Sequence, residues 1–251
     1  MRWGHGWAEV FANNQYFCLE PTSSGMNRFV VARSLVLVAL LCVAMGARAQ
    51  KQRFRFGVHI DPTLTWFSLD NNRFLNVGAP VGLSTGVEFE VFFAPRYSFA
   101  MGVSYDLRGG NLRYRESGYS LRTSYSGTKE VPAGTFVGTR ASFIRLPIGV
   151  KMRAIEIGYW TLFATAGLTL HYNVTQSATV PDLGLESESL KGMYKTMSMG
   201  YMLRLGTEYS LGGSSAIVAG LGFNGGISPA YDAGLGYIRM NELHLHLGFV
   251  F

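Results

Sequence analysis

Leu243 to Phe251 reads LHLHLGFVF. Leu243, Leu245, Leu247, Phe249 and Phe251 fall on one face of an extended chain, and His244, His246, Gly248 and Val250 on the other. A strand repeats every two residues, so this is a strand with one apolar and one more polar face. A chain that stops on such a strand, with an outward phenylalanine last, has the ending of an outer-membrane β-barrel. Phe249 and Phe251 are the expected membrane-assembly signal.

Working back from that strand, the alternation recurs seven times. The outward sets run from Phe54 through Trp66, Val81 through Val91 and Tyr97 through Leu107. They continue from Ile144 through Met152, Trp160 through Tyr172, Met197 through Tyr209, and Ile217 through Phe223. The facing sets hold Glu88, Glu90, Asp106, Arg108, Arg145, Lys151, Arg204, Glu208 and Glu242, together with most of the glycines. Each segment is about ten residues, the length a tilted strand needs to cross the hydrocarbon layer. In lipid a sheet edge has no water to satisfy it, so the strands must close into a ring. A soluble sandwich also alternates, but its apolar face is the inner one.

The connections agree. Links at 93–96, 153–159 and 210–216 are tight, whereas those at 67–80, 109–143, 175–196 and 224–238 are longer. Short periplasmic turns and longer extracellular loops alternate in this way. Trp66, Tyr97, Tyr105, Trp160, Tyr172 and Tyr209 near strand ends suit interfacial girdles. The expected fold is all-β: an eight-stranded antiparallel up-and-down transmembrane β-barrel spanning residues 50–251, in the cell outer membrane.

A cleaved signal peptide is expected before it. Ser34 to Gly46 is an apolar run preceded by Arg28 and Arg33 and followed by Ala47-Arg48-Ala49. That arrangement is a secretory signal at 26–49, with cleavage before Gln50. Residues 1–25 add no apolar core and read as a mis-assigned upstream extension. Both cysteines, Cys18 and Cys42, are lost with the removed part, which excludes disulfides and cysteine–zinc sites. Removing the four arginines and two glutamates of 1–49 lowers the net charge from +6 to +4. That modest basic balance in an exported chain points to phosphate-bearing lipids or a partner surface, with no nucleic acid.

Chemistry is thin. His59, Asp61, Glu242, His244 and His246 lie on the first and last strands, which pair in a closed barrel. They offer either a zinc- or nickel-type cluster or plain lumen packing. Neither a metal nor another cofactor is expected. His171 with Ser177 is the nearest pair to a serine–histidine arrangement, without a motif-linked carboxylate. Arg108, Arg145, Lys151 and Arg204 against Glu88, Glu90, Asp106 and Glu208, four of each sign, would plug an eight-stranded lumen, so no general diffusion is expected. The long 109–143 link carries Arg113, Tyr114, Arg115, Tyr119, Arg122 and Tyr125. Tyrosine offers rigid contact area and arginine grips phosphate or carboxylate, so these residues are the candidate contact surface for lipopolysaccharide or a partner.

One stretch carries a family resemblance. FIRLPIGVKMR (143–153), followed by YWTLFATAGLTLHYN (159–173), resembles the PorT-like outer-membrane β-barrel family of Bacteroidetes. The sharp motif covers about 25 residues, and the looser likeness spans Phe54–Phe251. It implies an eight-stranded barrel inserted by the barrel-assembly machinery. The founding member is linked to protein secretion, while most relatives have no known activity. The motif positions are Pro147, Lys151 and Arg153, with Pro147 shaping the strand and the two cations marking the periplasmic rim. The expected function is non-enzymatic, either structural or accessory to a secretion or assembly complex. The alternative is a narrow channel or a small lipid-modifying enzyme.

Overall fold

The computed structural model describes residues 54–70, 72–117, 119–124, 127–189, 192–231 and 237–251. The signal peptide, the upstream extension, Tyr125 and the Arg122 side chain lie outside the described residues. Eight long strands form the ring: β1 (Phe54–Leu69), β3 (Val81–Ala94), β4 (Tyr97–Tyr114), β7 (Phe136–Ile157), β8 (Trp160–Val180), β10 (Met197–Gly212), β11 (Ser215–Gly226) and β12 (Ile238–Val250). All neighbouring pairs are antiparallel. β12 pairs with β1, where Gly57 faces Val250, and β8 pairs with β10, so the circle has no edge.

The ring seals where β1 begins and β12 ends. Phe56 and Phe251 exchange backbone hydrogen bonds of 3.0 and 2.8 Å. At that same end the connections are two-residue turns: Pro95-Arg96, Gly158-Tyr159 and Gly213-Ser214. Gly158 (φ 60) and Gly213 (φ 62) take left-handed backbone, which two-residue hairpins of matching twist require. Outward leucines, isoleucines, valines and phenylalanines are exposed all round the wall, Ile148 and Leu205 among them, as a lipid-facing band requires.

Two features depart from the expected alternation. First, Phe163, Met202, Ala216, Val218 and Val250 point into the lumen and are buried. They are apolar members of the inner face, so the lumen is not purely polar. Second, the strands outrun the membrane: β7 has 22 residues and β8 has 21, about twice what a crossing needs.

The longer links are not simple loops. They contain β2 (Phe74–Asn76), β5 (Tyr119–Arg122), β6 (Thr128–Val131) and β9 (Leu185–Ser189). β2 adds to β4, β5 pairs with β6, and β9 adds to β8. Above the band these pieces enclose an apolar core of Phe67, Phe74, Leu112, Tyr114, Leu121, Val131, Val137, Phe143, Val180, Leu185, Tyr194, Tyr231 and Ile238. The barrel therefore carries a packed headpiece at the end opposite the two-residue turns.

Candidate functional site: a salt-bridged lumen under an aromatic lid

Strand alternation aims six cations and six carboxylates inward: Arg55, Arg108, Arg145, Lys151, Arg153 and Arg204 against Asp61, Glu88, Glu90, Asp106, Glu208 and Glu242. They sort by register into three levels. Nearest the two-residue turns, Lys151 Nζ donates to Glu90 at 2.5 Å and also meets Glu208. Arg153 bridges Glu90 at 2.5 Å and Glu208 at 3.1 Å, and Arg55 reaches Glu208 at 2.8 Å. The aromatic rings here back the cations: Lys151 lies 4.3 Å over Phe163 and Arg153 4.6 Å over Phe92. Lys151 and Arg153 are thus buried network members at the turn end of the barrel, with the Arg153 backbone bonded to Arg96 at 2.8 Å.

In the middle level Arg204 donates to Glu88 at 2.7 Å, and His246 Nδ1 lies 2.9 Å from Asp61. The rings of His59 and His246 are 5.3 Å apart, and Ser104 Oγ is 3.3 Å from His59 Nε2. In the upper level Glu242 accepts from Arg145 at 3.0 Å and Asn224 at 2.7 Å, and pairs with Arg108 Nε at 2.7 Å. Arg108 and Arg145 also hold Asp106, at 2.5 and 3.4 Å. Taking such charges out of water is tolerated only when each is paired, and six against six meets that condition.

The structure brings His59, Asp61, Glu242, His244 and His246 to the β1–β12 seam, as the closure of the ring demands. It does so beside a guanidinium group: Arg145 pairs with Glu242 at 3.0 Å and with Asp61 at 3.9 Å. Among the described residues no group of three ligating side chains is placed to hold a metal ion. Gly222 makes room for His244, because a Cβ there would strike the imidazole ring.

His171 and Ser177 are not brought together. His171 registers with Arg145 and Ser177 with Arg140, well along the same strand. At about 3.3 Å per residue the separation is far beyond the reach of a hydrogen bond. Ser177 instead donates to the Arg140 carbonyl at 3.5 Å.

Above the upper level sits a lid. Phe67, Phe143, Tyr194 and Tyr231 pack edge to face or tilted, with ring centroids 5.2 to 6.4 Å apart. Thr139 Oγ1 lies 2.8 Å from the Tyr194 hydroxyl. Gly110 admits the Phe67 ring directly onto the β4 backbone. Burial raises the Tyr194 and Tyr231 phenols above their ordinary range and pushes Tyr114 up to about 12.

Residues 48–232 match the outer membrane protein beta-barrel domain. The chain belongs to that family. This outer membrane protein beta-barrel domain is similar in architecture to several solved barrels. The Neisserial surface protein A is 14% identical, covering 79% of this chain and 96% of its own, with a TM-score of 0.45. The outer membrane protein OprG from Pseudomonas aeruginosa is 10% identical, covering 78% and 94%, with a TM-score of 0.41. The outer membrane protease OmpT from Escherichia coli is 8% identical, covering 82% and 99%, with a TM-score of 0.40. No curated protein matches the chain. The family places the barrel in the outer membrane, with its apolar wall in lipid.

The candidate contact residues divide on the headpiece. Arg113 and Arg115 are exposed, while Tyr114 between them is buried at 1% exposure and Tyr119 is half-buried against Phe74. Tyr114 therefore supports the surface from beneath and offers it no contact area. The sequence carries a signal for this: Leu112 and Tyr114 alternate with Asn111, Arg113 and Arg115, so period two continues past Leu107. Reading Gly109-Gly110 as a strand end hid it.

Proposed function

We propose that this barrel is non-enzymatic and non-conducting, and serves as an accessory to a secretion or assembly complex through its headpiece. The observation that carries this reading is the six-against-six ion network beneath an aromatic lid. Side chains fill an eight-stranded interior, and here they are cross-linked by charge as well. A lumen so filled offers neither a path for solutes nor a cleft for a substrate. What remains for function is the outside of the headpiece, with Arg113 and Arg115 exposed on it.

The FIRLPIGVKMR stretch supports a PorT-like assignment, from which the fold and the compartment are carried over and the founding member's secretion role is not. Insertion by the barrel-assembly machinery is part of the same reading, with Phe249 and Phe251 as the recognised end. The Phe251 ring stands 5.0 Å from that of Phe56 across the closing seam. Deleting Phe251 is expected to leave the chain in the periplasm, read by fractionation.

Cross-linking and affinity capture from outer membranes test the docking role. An Arg113→Glu, Arg115→Glu double variant is expected to lose its captured partner while keeping its heat-modifiable gel mobility. An unchanged partner set would reject the docking surface. Planar-bilayer recording tests the closed lumen: a stable large conductance would reject it.

A further inference from the structure

A groove of about 440 Å³ opens on the outer wall of the barrel where β3 begins. That volume falls in the ordinary range for ligand sites. Its lower side is apolar: Val81, Leu83 and Leu107 are exposed and belong to the lipid-facing band. Its upper side is polar, formed by Arg140, Thr175 and Ser177. Arg140 lies opposite Gly109 on β4 and next to Ser177 on β8, on the outward face of both pairs. Among the described residues its guanidinium has neither an ion-pair partner nor a side-chain hydrogen bond, in contrast to every arginine in the lumen. Gly109 is buried beside Arg140, and a Cβ there would stand 3.6 Å from both Arg140 Cγ and Pro80 Cγ.

The environment of this groove follows from the family. The wall below it stands in lipid, and the groove is at the end of the longer links, away from the two-residue turns, so the lipids reaching it belong to the outer leaflet. In an outer membrane that leaflet is built of phosphorylated, multiply acylated glycolipid. An apolar floor capped by an unpaired arginine and hydroxyls complements such a molecule: acyl chain below, phosphate and sugar hydroxyls above. A planar guanidinium grips phosphate through two parallel hydrogen bonds, so arginine suits this position better than lysine would. Arg113 continues the same outward face of β4 toward the water, and extends the positive field above the phosphate.

We propose that the groove between the start of β3 and the upper parts of β4, β7 and β8 seats one outer-leaflet phosphorylated glycolipid, with Arg140 on its phosphate. The inference rests on the outer-membrane placement and stands apart from the docking role, since partner capture and lipid retention are read separately.

Native mass spectrometry of the detergent-purified full barrel tests it with three probes: bisphosphorylated lipid A, chemically dephosphorylated lipid A, and phosphatidylglycerol. The wild-type barrel is expected to retain the bisphosphorylated form about tenfold more strongly than either other probe. Arg140→Gln is expected to remove that preference, and Arg96→Gln in the Pro95-Arg96 turn at the far end to keep it. Equal retention of the phosphorylated and dephosphorylated forms by the wild type would overturn the proposal without reference to any variant. So would undiminished retention by Arg140→Gln with native gel mobility. Equal retention of phosphatidylglycerol would overturn the glycolipid assignment, and a protein adduct lost on Arg140→Gln would replace lipid by protein.

Discussion

Within the same strands, the lumen and the headpiece are built on opposite rules. The inward face of β4 runs Ser98, Ser104, Asp106, Arg108 and then Leu112 and Tyr114. That of β12 runs Ile238, Met240 and then Glu242, His244 and His246. On β1 the change comes between Thr65 and Phe67. Nothing in the backbone changes at these points; the solvent outside the wall does. Where lipid surrounds the ring, apolar side chains face out and polar ones are enclosed. Where water surrounds it, the apolar side chains go inside and arginines face out. One continuous sheet thus serves as a membrane barrel below and a water-soluble domain above.

The difference predicts different kinds of damage, and the largest belongs to the lumen. Glu242→Ala removes the carboxylate that Arg108 and Arg145 share and leaves the two buried cations to divide Asp106 between them. Leaving buried charge without its partner costs about 3–5 kcal/mol. A matching fall in the urea midpoint of the whole barrel, read by gel mobility, is the expected outcome. A barrel as stable as wild type would mean that water reaches the lumen and screens these charges.

In the headpiece the damage should stay local. Leu112→Ala opens a cavity in a core where Leu112 is fully buried, at about 2–5 kcal/mol. Proteolysis of the segments carrying β5, β6 and β9 should accelerate while the barrel keeps its heat-modifiable mobility. If the barrel melts with it, the two regions are one cooperative unit and the contrast is only one of composition.

Alkali separates the regions again. The Tyr114 phenol is raised from its ordinary 10.0 to about 12 by burial. Below pH 10 both folded and unfolded forms hold the neutral phenol, so its contribution is complete. Above it the unfolded form ionises first, and headpiece stability falls until about pH 12. Protease resistance measured from pH 9 to 12 checks this, and a flat profile would contradict it. The smallest effect is expected at the surface: Arg115→Ala should shift stability by no more than about 0.5 kcal/mol, read by the same denaturation. A larger loss would place Arg115 inside the fold.

Much of this was legible without coordinates, for a physical reason. Lipid imposes a strict period of two and forbids an open edge, so LHLHLGFVF and its seven counterparts carried both strand type and closure. The closure then paired the first strand with the last and assembled His59, Asp61, Glu242, His244 and His246. The pattern did not reveal the headpiece, because its strands follow the opposite sense beyond Gly109-Gly110 and a bulge at Val174 in β8, opposite Ser142 and Phe143, breaks the phase there. The inward Phe163 and Met202 were missed too, since an aromatic or methionine on a polar face carries no label in sequence.

The sequence alone determined the ring, its number of strands, the face turned to lipid and the balance of charge inside. Only the tertiary structure decided which cation meets which carboxylate, because register around a closed ring sets those distances and no local pattern contains them. It also decided that Tyr114 is core and Arg113 is surface. That assignment depends on what covers the strand above the membrane, and segments distant in the chain supply the cover.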